Sequence, residues 1–114
     1  MKKSKILFEV QLDEKNIPEN IEWIADEKPD QSKDQTNAIA LSVWDNAAKN
    51  TLRMDLWTKE MTVDEMKKFV VDSVGGLATT VRNATDDQKM ADYMDELCQT
   101  LVKHIEEEQK SKQQ

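Results

Sequence analysis

The residues that could carry out acid–base chemistry are numerous in this chain, but their spacing brings few of them together. The 114 residues include 23 Asp and Glu and a single His. Asp55 and Asp64 are the pair that a strand–helix turn could bring together as a general acid and a general base. Asp64, however, stands in the predicted first turn of a helix, where a carboxylate complements the helix dipole. We therefore expect no catalytic residues and no enzymatic activity.

Metal and phosphate sites need ligands that this sequence does not group. His104 and Cys98 are six residues apart on one predicted helix, which is nearly two turns and too far for one ion without other ligands. The pair Asp45-Asn46 lacks the spacing of a calcium loop. The pair Gly75-Gly76 falls inside a predicted helix, so it cannot form a phosphate-binding loop. The sequence therefore predicts no metal site and no cofactor.

A set of aromatic and charged side chains is a stronger candidate for function. Leu52, Met54 and Leu56 alternate with polar or aromatic residues, a period of two that is typical of a strand with one buried face. The residues between them then point away from the core, and the preceding strand adds a tryptophan to that outer face. Tryptophan among charges is typical of binding surfaces, although the tryptophans could instead cover the sheet edge or pack under the 26–37 loop. The predicted protein-binding face consists of Trp44, Arg53, Asp55 and Trp57.

Four alternating stretches predict four antiparallel strands, at 6–12, 21–25, 38–44 and 52–56. We expect them to pair as two hairpins within one four-stranded sheet. Residues 37–48 could form a helix instead, since they contain four alanines, but β-branched and aromatic residues favour a strand. The polar segment 26–37 is predicted to be a solvated, mobile loop.

Two helices are predicted after the strands. Thr62 with Glu65, and Thr85 with Gln88, have the spacing of capping boxes, in which each side chain bonds an otherwise unpaired backbone N–H. Apolar residues then recur every three or four positions. The glycine pair at 75–76 indicates close approach by a neighbour, a kink or a tolerated irregularity. The predicted fold is therefore α+β, with both helices packed on one face of the sheet, in a single domain over 1–108 followed by a disordered polar tail over 109–114.

The composition indicates an acidic protein of a reducing compartment. The net charge is −7, with 34% charged and 38% hydrophobic residues. An acidic surface repels phosphate backbones and anionic lipids, so nucleic acid and membrane surfaces are poor partners. The lone cysteine excludes an internal disulfide. The apolar run Ile6–Phe8 is too short for a signal peptide, and no run reaches the length of a membrane span. We expect a cytoplasmic protein.

Several segments of the sequence resemble one known family. They are LSVWD at 41–45, TLRMDLWTKEM at 51–61, VDEMK at 63–67, RNAT at 82–85 and KMAD at 89–92. Together with the opening strand, Pro18 and Trp23, they are similar to the gliding-motility protein GldC family of the Bacteroidetes. The resemblance implies a small soluble cytoplasmic accessory of gliding motility, linked to type IX protein secretion, without enzymatic activity or cofactor. It implies no set of functional residues.

Three functional hypotheses follow. The leading one is an accessory factor that binds protein partners of the gliding and secretion apparatus through the face of Trp44, Arg53, Asp55 and Trp57. The alternative is a cytoplasmic chaperone or adaptor that binds a basic client through an acidic helical surface. A small ligand-binding domain in a sheet–helix cleft is the third. An open sheet face or a strand edge could also be buried in a homodimer.

Overall fold

A computed structural model describes residues 1–27 and 34–112 of the chain, and the fold class is α+β, as predicted. The chain divides into two compact units, Met1–Thr62 with the strands and Val63–Gln114 with the helices, and each is described by itself. The elements in order are β1 (Ile6–Leu12), β2 (Pro18–Ala25), β3 (Gln35–Thr36), β4 (Ala38–Asp45), β5 (Asn50–Trp57), α1 (Val63–Thr85) and α2 (Gln88–Lys112).

The strands form two antiparallel sheets, so the prediction of one four-stranded sheet is wrong. One sheet has the order β1-β2-β3 and the other is the pair β4-β5. The short strand β3 lies in the segment predicted to be a loop, and its Gln35 and Thr36 pair with Glu22 and Ile21. Residues 28–33 of that predicted loop lie outside the described residues. Alternation shows which side chains share a face of a strand, but it does not show which strand lies beside it.

Both predicted hairpins are confirmed. β1 pairs with β2, and β4 pairs with β5, so the stretch 37–48 holds a strand and a turn instead of a helix. In the β4–β5 turn, Asp45 Oδ1 accepts the backbone N–H of Ala47 at 2.9 Å and of Ala48 at 3.2 Å. Lys49 takes the left-handed conformation with φ 58°. An aspartate that binds its own backbone in this way favours a turn over a helix.

The apolar residues of β4 and β5 are less buried than their pattern indicates. Three cross-strand pairs share one face of the ribbon: Ile39 with Leu56, Leu41 with Met54, and Val43 with Leu52. The alternation predicts Leu52 and Met54 in the core, yet each is 57% exposed. In a two-stranded ribbon each side chain has a neighbour on one flank only, so alternation alone does not produce burial.

The start of α1 matches the sequence prediction, and the start of α2 does not. α1 begins at Val63, directly after Thr62. Thr85, however, does not cap α2; its hydroxyl donates to the Val81 carbonyl at 2.6 Å, within the last turn of α1. Asp87 is the cap, because its Oδ1 accepts the N–H of Met90 at 3.0 Å, three residues ahead as in an N-cap. The second predicted capping box is therefore wrong.

Small residues form the contact between α1 and α2. Ala78 and Ala91 are completely buried, and the half-buried Cys98 lies with its Sγ 3.7 Å from the Val71 carbonyl oxygen. A Cβ placed on Gly75 would lie 4.0 Å from the same sulfur atom, which is an ordinary van der Waals distance. The helices therefore approach closely at these small residues.

Ion pairs join the two helices at both ends of this contact. Lys67 Nζ lies 2.7 Å from Glu108 Oε1, and Arg82 Nη2 lies 3.0 Å from Asp92 Oδ1 and also contacts Asp95. Lys67 lowers the pKa of Glu108, and Asp95 and Asp92 raise the pKa of Arg82. α2 extends through Lys112, so residues 109–112 are helical. The single-domain boundary and the packing of the helices on a sheet stay predictions.

We expect Gly76→Ala to stabilise the protein. Gly76 lies inside α1, and a Cβ there would meet nothing within 4 Å. Alanine in a helix interior is favoured over glycine by about 0.5–1 kcal/mol. Part of this difference arises because glycine gives the unfolded chain more conformational entropy to lose on folding. Urea denaturation should show this increase in the free energy of unfolding. Gly75→Ala is the matched control at the helix contact, and a loss of stability in the Gly76 variant would contradict the prediction.

We expect Arg82→Met to destabilise the protein more than Lys68→Met does. Arg82 joins the two helices through Asp92 and Asp95, whereas Lys68 pairs with Asp72 in the same helix at 2.8 Å. Removing Arg82 leaves the carboxylates of Asp92 and Asp95 without the cation that both contact, while an exposed pair within one helix contributes little. Thermal unfolding followed by circular dichroism measures both variants. Equal shifts in Tm would show that the pairs of Arg82 do not hold the helices together.

Candidate functional site

The register of β4 and β5 places the four predicted residues on one face of the ribbon. Trp44 lies opposite Thr51, while Arg53, Asp55 and Trp57 alternate along β5. We call Trp44, Arg53, Asp55 and Trp57 the tryptophan face. Trp44 is 57% exposed and Trp57 is 53% exposed, so more than half of each residue is accessible. Its role in binding stays a prediction.

The two tryptophans stand at opposite ends of this face. Thr51, the partner of Trp44, is six residues before Trp57 along β5, which at the rise of a strand is roughly 20 Å. The Arg53–Asp55 pair lies between them. The tryptophan face is therefore an extended stripe, and a partner must cover the length of the ribbon to touch both indoles.

A bidentate ion pair forms the middle of the stripe. Arg53 Nη2 donates to Asp55 Oδ1 at 2.7 Å and Arg53 Nε donates to Oδ2 at 3.3 Å. A third guanidinium nitrogen, Nη1, contacts the Ser42 hydroxyl across the ribbon. The neighbouring carboxylate raises the pKa of Arg53. Because the two charges compensate each other, the centre of the stripe is polar and locally neutral, and an approaching surface needs no net charge of its own.

A shallow apolar recess lies beside Trp57. Its lining residues are Ile17, Pro18, Asp55, Leu56 and Trp57, around a volume of about 230 Å³, and we call it the Trp57 recess. Ile17 and Pro18 come from the β1–β2 hairpin, and sequence reasoning missed them. No pattern in the chain relates this loop to β5, because the contact joins residues some forty positions apart. Concave apolar sites with an aromatic residue are where binding energy concentrates in interfaces.

Asp13 holds the loop that contributes Ile17 and Pro18. Its Oδ1 accepts the N–H of Lys15 at 2.8 Å and of Ile17 at 3.0 Å, and its Oδ2 accepts Lys59 Nζ at 2.7 Å. Lys59 follows Trp57 by two residues, so this ion pair ties the loop to the segment that carries the indole. The bond from Lys59, followed by the N–H of Ile17, lowers the pKa of Asp13 to about 2.

Thr58, between Trp57 and Lys59, fixes the end of β5. It is 1% exposed. Its hydroxyl donates to Asn37 Oδ1 at 3.1 Å, and its N–H donates to the Asn37 carbonyl at 2.9 Å. Asn37 lies between β3 and β4. Two hydrogen bonds to one residue therefore set where the indole of Trp57 and the ammonium of Lys59 emerge.

His104, the one histidine of the sequence, pairs with a carboxylate of its own helix. His104 Nε2 is 3.4 Å from Glu108 Oε1, one turn along α2. Within residues 1–27 and 34–112, no three His, Cys, Asp or Glu side chains are grouped so that they could hold a metal ion. In the same described part of the chain, none of the helices combines the length and apolar character needed to cross a membrane.

A comparison with known protein families identifies the family of this chain. A family model described as gliding motility-associated protein GldC-like matches residues 18–107. The chain belongs to this GldC-like family. The resemblance seen in the sequence is thereby confirmed, and the matched range of this GldC-like chain contains the whole tryptophan face. No curated protein and no solved structure gives a significant match.

We expect Asp13→Asn to reduce the acid sensitivity of the protein. The pKa of Asp13 is about 2 in the folded state, below the ordinary 3.8. A lowered pKa contributes stability that is present above about pH 4 and is lost as the pH falls toward 2. The variant should therefore be less stable than wild type at pH 7, and it should lose less stability between pH 4 and pH 2.

Urea denaturation at pH 7, 4 and 2.5 measures this difference. Glu14→Gln is the matched control, because Glu14 is the exposed neighbour of Asp13 in the same loop. Parallel loss of stability in wild type and Asp13→Asn between pH 4 and pH 2.5 would contradict the role of the Asp13–Lys59 pair.

Proposed function

We propose that this protein is a small soluble cytoplasmic accessory factor of bacterial gliding motility that acts by protein–protein interaction. In this proposal the tryptophan face and the Trp57 recess bind protein partners. These partners belong to the gliding apparatus and to the type IX secretion machinery that is linked to it. The protein catalyses no reaction. The observation that carries the proposal is the family match over residues 18–107, which contains the exposed indoles of Trp44 and Trp57.

The composition of the site supports protein binding over small-molecule chemistry. The recess is shallow and lined mainly by apolar side chains, with Asp55 as its one charged residue, and Asp55 is paired with Arg53. A pocket for a small polar ligand needs several convergent polar groups. An aromatic anchor beside a small recess, with a neutral ion pair next to it, is the arrangement that a partner side chain can fill at an interface.

Trp57 is expected to contribute more binding energy than Trp44. Trp57 lines the recess, whereas Trp44 stands by the β4–β5 turn opposite Thr51. The interface residues whose truncation weakens binding strongly, by about 30-fold or more, most often lie in concave sites. Trp57→Ala should therefore abolish or strongly reduce gliding, and Trp44→Ala should have a smaller effect.

The experiment replaces the chromosomal gene in a gliding bacterium and measures colony spreading and single-cell gliding, with protein levels matched by immunoblot. Tyr93→Ala is the control, because Tyr93 is 58% exposed on α2 and matches the indoles in accessibility. A photo-crosslinking residue at position 57 should capture a protein of the motility apparatus, and one at position 93 should not. Normal gliding of both tryptophan variants, with no adduct at 57, would overturn the proposed face.

A further inference from the structure

The helical unit carries a second concave surface that the tryptophan face does not use. It is an open groove of about 460 Å³ between the first half of α1 and the last part of α2. Its apolar floor is formed by Val71, Val102 and Ile105, and Val102 is 42% exposed. We call it the α1–α2 groove. A groove of this volume can receive apolar side chains from a partner, since ligand pockets measure roughly 300–1,000 Å³.

Carboxylates dominate the rim of this groove. Asp64 and Glu65 lie at one end, and Asp72 and Glu106 lie along its sides. Lys68 is the one cation among the lining residues, and its ammonium is paired with Asp72 at 2.8 Å. The rim is therefore negative, while the floor is apolar.

We propose that the α1–α2 groove binds a basic amphipathic helix of a partner protein. Apolar residues of such a helix, spaced by three and four, would occupy the floor, while its flanking lysines or arginines would face the carboxylates of the rim. This is the helix-in-groove mode of peptide recognition. The charge pattern decides between occupants, because fatty acids and anionic lipid head groups would be repelled by the same carboxylates. The surface is additional to the tryptophan face and does not depend on it.

The test uses a fluorescein-labelled 18-residue peptide of leucine and lysine, arranged to form an amphipathic helix, and measures fluorescence anisotropy with the full chain. Two control peptides are a scramble of the same composition and a version with glutamate in place of lysine. The basic helix should bind, with an affinity that falls as salt rises. The scrambled peptide should bind at least about tenfold more weakly, because it cannot present both chemistries on opposite faces.

Two variants of adjacent residues separate the groove from the general negative charge. Glu106→Gln removes a rim carboxylate, and Glu107→Gln removes the next carboxylate along α2, which is exposed and does not line the groove. Glu106→Gln should lower the affinity for the basic peptide about two- to fivefold, which is the contribution expected of an exposed charge pair. Glu107→Gln should leave that affinity unchanged. If both variants weakened peptide binding equally, the overall negative charge of the protein would account for the attraction. That result would overturn the proposal.

A gain-of-binding variant excludes misfolding as the explanation. Lys68→Gln removes the one cation of the lining and releases Asp72 from its pair, so it should tighten the basic peptide about two- to fivefold. An unfolded or aggregated protein would not show this. Trp57→Ala should bind the peptide as wild type does, which keeps this test independent of the tryptophan face. Absence of binding by wild type, or no gain with Lys68→Gln, would overturn the proposal.

Discussion

The position of the candidate site depends on the two hydrogen bonds between Thr58 and Asn37. Thr58 is the buried polar side chain of the described residues, and a buried hydroxyl is costly unless it is bonded. By bonding both the side chain and the backbone of Asn37, it attaches the end of β5 to the junction of β3 and β4. Its two neighbours then have fixed directions: Trp57 lines the recess, and Lys59 reaches Asp13.

Few large side chains are buried in either unit. Local geometry is therefore held largely by hydrogen bonds from side chains to the backbone. Ile21 and Thr58 are the largest fully buried residues of the described part of the chain. The loop at Asp13, the turn at Asp45 and the cap at Asp87 each use one carboxylate to bind backbone N–H groups. Such bonds satisfy turn and helix ends locally. They leave apolar and aromatic surface available on the ribbon and on the helices.

The sequence predicted elements better than it predicted their neighbours. The alternation in β4 and β5 and the helical stripe of α1 each report one periodicity, and both elements were located from it. The division into two sheets, the strand β3 and the contact of Ile17 and Pro18 with Trp57 depend on long-range pairing, which periodicity does not encode. The pattern Thr-x-x-Gln fits a capping box and so predicts Thr85 as the cap of α2. The cap is instead Asp87, whose side chain accepts the N–H of Met90.

The two candidate surfaces differ in the physical basis of recognition. The tryptophan face joins two indoles through an internally neutralised ion pair, so its affinity would come from burying aromatic area and would respond weakly to salt. The α1–α2 groove combines an apolar floor with carboxylates, so charge would accelerate encounter and select basic partners. If both proposed surfaces bind partners, one partner would be held by shape and apolar contact. The other would be selected by charge, and its exchange rate would depend on ionic strength.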